Sequence, residues 1–70
     1  MRENDTFVLP KPVEATVIGE RRTVALPVGT VVKVVLVFGD PNSPAAYEVE
    51  AFLPKDDIYA LATIETRDGG

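Results

Sequence analysis

The stretch Thr30 to Phe38 reads T-V-V-K-V-V-L-V-F, β-branched almost throughout and apolar on both faces except at Lys33. β-Branched side chains are stiff about χ1 and suit a pleated sheet better than a helix. The stretch therefore predicts a strand at the centre of a small β protein. Side chains alternate along a strand, so Thr30, Val32, Val34, Leu36 and Phe38 share one face and Val31, Lys33, Val35 and Val37 the other. A strand of about nine residues spans roughly 30 Å, which is long for a chain of 70 residues. Such a strand bends sharply, often through a bulge, and serves two sides of a barrel. Otherwise another subunit must cover its second face, because a bare apolar strand is an aggregation hazard.

Shorter elements flank it. Phe7-Val8-Leu9 is closed by Pro10-Lys11-Pro12; prolines lack the ladder donor, so this segment is an edge or lead-in strand. Val13 to Ile18 alternates, with Val13, Ala15 and Val17 on one side and Glu14 and Thr16 on the other. Gly19-Glu20-Arg21-Arg22 reads as a solvated turn, Thr23 to Leu26 as extended, and Pro27-Val28-Gly29 as a break. The cluster Gly39 to Pro44 reads as a hairpin loop. Ala46 to Leu53 alternates cleanly: Tyr47, Val49, Ala51 and Leu53 face one way, Glu48, Glu50 and Phe52 the other. Pro54 to Asp57 forms the next turn. Ile58 to Thr66 is ambiguous. Ile58, Leu61, Ala62 and Glu65 fit a helical period with an Asp56 or Asp57 cap, whereas Tyr59, Thr63, Ile64 and Thr66 favour a strand. The strand reading is preferred. Residues 1–6 and 67–70 are expected to be flexible tails around a single β-barrel domain, 7–66.

Composition sets the limits. A chain this short buries only about 60% of its unfolded surface, and small domains often compensate with disulfides, metals or oligomerisation. There is no cysteine and no histidine, which excludes disulfides and an ordinary structural zinc site. Tight packing or self-association is left. The missing cysteines fit a reducing, cytoplasmic setting. Net charge is −4 and the seven basic residues are scattered, which opposes phosphate-backbone binding. Met1 to Phe7 lacks a basic and apolar leader. Arg21-Arg22 precedes an apolar stretch, but Pro27, Gly29 and Lys33 interrupt it. The longest apolar run, Val34 to Phe38, is far short of the ~18–20 residues of a spanning helix. A soluble protein with no membrane or nucleic-acid partner is expected.

Three pieces in order, G-T-V-V-K-V-V at Gly29 to Val35, A-Y-E-V-E at Ala46 to Glu50 and A-L-A-T-I-E at Ala60 to Glu65, resemble the DUF4926 family of small bacterial proteins of unknown function. The resemblance covers roughly residues 28–66. It implies an SH3-like small β-barrel with no assigned enzymatic activity. The chain departs from the family pattern at Ala51, where an aromatic is usual, at the P-K-D-D turn, which lacks glycine, and over residues 7–27.

No residue set supports catalysis. Ser43 is isolated, and without Cys or His no nucleophile–base pair assembles. Asp40, Asp56 and Asp57 lack the spacing of a calcium loop and suit turns instead. Glu48 and Glu50 form a solvated face, with Lys33 as a cross-strand partner. No catalytic, metal or cofactor residues are expected. Tyr47 lies in register with Val49 and belongs to the core or rim. The candidate protein contacts are Val31, Val35 and Val37, from the two-sided strand, with Phe52 and Tyr59. The expected fold is an all-β, SH3-like barrel of about five strands. The expected role is a non-catalytic protein-binding or assembly module, homodimeric in one form. The alternative is an acidic regulatory or immunity-type protein that binds one specific partner.

Overall fold

A computed structural model describes residues 2–40 and 42–65. They form six strands: β1 (Thr6–Val8), β2 (Val13–Val17), β3 (Thr23–Leu26), β4 (Val31–Asp40), β5 (Ser43–Leu53) and β6 (Ile58–Glu65). All paired neighbours are antiparallel, in the order β1-β4-β5-β6-β2-β3. The sheet curls into a half-barrel, an all-β fold of the small SH3-like class. The strand count is six rather than about five, because the Phe7-Val8 lead-in is itself a paired strand.

The β5–β6 hairpin shows how the curl is built. Its inward pairs are Tyr47↔Ile64, Val49↔Ala62, Ala51↔Ala60 and Leu53↔Ile58. Bulky residues stand at the two ends and alanines in the middle. Small inward side chains let a curved wall close over larger ones from other strands. Leu9, Leu26, Val32 and Val34 join Ala15, Val49, Ala51, Ala60 and Ala62 in one core cluster. Each fully buried Leu or Val contributes about 1.5–3 kcal/mol relative to exposure. The inward placement of Ala60 and Ala62, with Tyr59 and Thr63 outward, makes Ile58 to Glu65 a strand; Thr66 lies outside the described residues. Packing on the curved wall overrides the local helical period.

β4 corrects the expected faces. Val34 pairs with Val49 and Leu36 with Glu48, so Val35 is an extra residue in a bulge. One added residue reverses the alternation beyond it. Val32 and Val34 are buried, but past the bulge Val37 packs against the core while Leu36 and Phe38 are exposed. The expected faces Thr30 to Phe38 and Val31 to Val37 are each split in two. A second irregularity separates Phe38↔Ala46 from Gly39↔Pro44. The expected loop from Gly39 to Pro44 is mostly strand: β4 runs to Asp40 and β5 starts at Ser43.

The expected N-terminal tail, residues 1–6, is corrected from Asn4 onward. The Asn4 N–H donates to the Val34 carbonyl at 2.7 Å, the Val34 N–H donates to the Asp5 carbonyl at 2.8 Å, and β1 begins at Thr6. At the far end Leu9 N–H donates to Thr30 O and Gly29 N–H to Leu9 O, both at 2.9 Å. Once Leu9 is buried, the residues before it fall into register with β4 and satisfy its backbone groups. Polarity of the side chains does not decide the matter. The expected tail at 67–70 lies outside the described residues. The Arg21-Arg22 turn is solvated as expected, with Arg22 Nε–H donating to the Glu20 carboxylate at 3.1 Å in the open.

Candidate contact surface

Outward side chains line up in rows across the strands. One row is mainly polar: Thr6 opposite Lys33, Lys33 opposite Glu50, Glu50 opposite Leu61, Leu61 opposite Thr16, and Thr16 opposite Thr23. Two residues along, the pattern turns apolar. Phe52 lies opposite Tyr59, and the Ile18 N–H donates to the Tyr59 carbonyl at 2.9 Å, which continues the register onto the end of β2. Phe52, Tyr59 and Ile18 are 45%, 49% and 50% exposed. Toward the β1 edge of the same outer face Val8 pairs with Val31, and both are exposed.

The rings of Phe52 and Tyr59 touch, with centroids 4.9 Å apart and planes tilted by 43°. Offset or tilted pairs of this kind contribute about 0.5–1.5 kcal/mol beyond burial. Here the contact clamps the end of the β5–β6 hairpin and holds both rings at the surface.

Beside Tyr59 an open groove of about 360 Å³ is lined by Ile18, Glu50, Asp57, Ile58 and Tyr59. β6 supplies Ile58 and Tyr59, β5 supplies Glu50, and the turn before β6 supplies Asp57. Asp57 takes the left-handed conformation, φ +53, which aspartate tolerates better than most side chains. Among the described residues neither the Glu50 nor the Asp57 carboxylate has an ion-pair partner. Lys33 stands opposite Glu50 in the ladder, yet the expected ion pair between them is not closed.

The candidate contact residues therefore separate. Phe52 and Tyr59 are exposed and together. Val31 is exposed on the same outer face, toward β1. Val35 is half-buried in the bulge, and Val37 packs against the core, so Val31, Val35 and Val37 do not form one contact face. Ile18 was not singled out in the sequence, although it follows Glu14 and Thr16 on the outward side of an unbroken alternation. Asp40 does what a turn aspartate does, accepting from the Asn42 N–H at 2.8 Å. Among the described residues no group of three or more carboxylates gathers to hold a metal ion, and no helix is long and apolar enough to cross a membrane. Comparison of the chain with protein-family models, with curated proteins and with solved structures gives no match.

Proposed function

We propose that this chain is a non-catalytic, cytoplasmic binding module that offers the Phe52–Tyr59–Ile18 surface to another protein. The observation that carries the reading is the half-exposed aromatic pair with an exposed isoleucine next in register. A hairpin clamp needs the rings to touch each other; it does not need Ile18 beside them. Contiguous exposed apolar groups rimmed by polar ones mark contact sites, and aromatics are enriched at the centres of interfaces. The net charge of −4 supports a basic partner, steered by long-range attraction.

The test compares the wild type with a Phe52→Ser/Tyr59→Ser double variant, each immobilised in lysate of the source cells and each examined by sedimentation equilibrium. A stoichiometric partner, or a dimer, that forms on the wild type and not on the folded variant is the expected result. Identical behaviour of the two proteins would move the contact elsewhere on the barrel.

A further inference from the structure

Resting on that reading, we infer that the groove beside Tyr59 receives an arginine side chain from the partner protein. The chemistry of the lining selects this occupant. Ile18, half-exposed at the groove, offers an aliphatic wall suited to a methylene stem, because long basic side chains bury their stems and keep their heads in water. The Tyr59 ring offers an electron-rich face to a cation. Glu50 and Asp57, from different elements, supply two carboxylates that lack ion-pair partners among the described residues. A planar guanidinium can stack on the ring and bond a carboxylate through two N–H groups at once, whereas an ammonium offers only a point charge.

Other occupants fit less well. A bare cation would find two carboxylates and, among the described residues, no third carboxylate gathered with them, and calcium takes six to eight oxygens. A neutral or acidic segment would leave both carboxylates desolvated beside it without compensation. A second copy of this chain brings its own −4 charge, so long-range repulsion opposes it. Lys33, opposite Glu50, is the internal rival for that carboxylate. Its removal should strengthen binding of an external cation.

The test uses the isotope-labelled full chain and two short peptides followed by amide chemical shifts: acetyl-Gly-Gly-Arg-Gly-Gly-amide, and the same peptide with citrulline, the neutral isostere of arginine. The arginine peptide should give saturable shifts at Ile18, Glu50 and Asp57 to Tyr59, weakening as salt is raised. Citrulline should bind about tenfold more weakly, the scale set by two exposed ionic contacts. Glu50→Gln/Asp57→Asn should lose the same factor, and Lys33→Met should gain part of it. Both replacements in the double variant keep the shape of the side chain, and asparagine tolerates the left-handed conformation at position 57. Unchanged shifts away from the groove verify its fold. Equal binding of the citrulline peptide, shifts elsewhere, or no saturable shift would overturn the proposal, as would a dimer assembled through these residues. If the arginine peptide fails while Phe52→Ser/Tyr59→Ser still abolishes a protein contact, the binding-module reading stands without it.

Discussion

Gly39 and Gly29 share a backbone conformation, φ +88 and +92, and differ in what surrounds them. Gly29 sits at the third position of a turn closed by Thr30 N–H donating to the Pro27 carbonyl at 3.2 Å, where a positive φ is required of a type II turn. A Cβ there would meet nothing within 4 Å; at Gly39 it would come within 3.1 Å of the Ala45 nitrogen. An L-residue in the left-handed region costs roughly 1–2 kcal/mol. Gly29→Ala should lose that amount, and Gly39→Ala more, by about another 1 kcal/mol for the crowding. Urea midpoints at unchanged slope would show the difference; equal losses would mean that the start of β5 shifts freely. Gly29 was legible as a turn residue, whereas Gly39, expected in a loop, lies within β4. Asp57 was legible as a turn residue too, but not as one with positive φ, since its type only permits that conformation and the hairpin requires it.

At the scale of a strand, β5 and β6 were readable because their alternation is unbroken. Tyr47, Val49, Ala51 and Leu53 turn inward as a set, and the same period delivered Phe52 and Tyr59 to the surface together. Ile18 obeyed that period as well, but its place at the edge of a turn hid its link to Tyr59, which only the β2–β6 pairing makes. β4 was not readable in the same way. In V-V-K-V-V-L-V-F every candidate bulge position looks alike locally, and the extra residue is fixed by which partners β1 and β5 present. Val35 takes that place, which turns Val37 inward and Leu36 outward. Val37→Ala should therefore cost about 1 kcal/mol, as loss of partly buried methyl groups does, while Leu36→Ala should stay within about 0.5 kcal/mol, as exposed substitutions do. Unbroken alternation along β4 would give the opposite order. Chemical denaturation of the two variants decides between them.

At the scale of the whole molecule, a half-barrel has two edges, and the fold treats them differently. β3 pairs only with β2. On the other side β1 is only three residues long, yet its backbone contacts with β4 extend from Asn4 to Leu9. Val34 lies at the centre of this arrangement. It is fully buried, it sits next to the bulge, and on the β1 side both of its backbone groups are satisfied by Asn4 and Asp5. Deleting residues 1–5 would take away both partners. A buried backbone group left unpaired costs about 1–3 kcal/mol, against a total stability of roughly 0.05–0.15 kcal/mol per residue. The truncated chain should thus unfold at a markedly lower temperature, by about 4–8 °C for each kcal/mol lost in a domain of this size. The site of the loss can be read separately by hydrogen exchange. In the full chain the Val34 amide should be protected to nearly the level of global unfolding, and in the truncated chain it should exchange by local opening. If the first residues were a frayed tail, truncation would leave both the melting temperature and the Val34 amide unchanged. The polar composition of Arg2 to Asp5 points to that outcome. The register imposed by Leu9 points to the other, because a chain with so small a core cannot leave the backbone of a buried valine without partners.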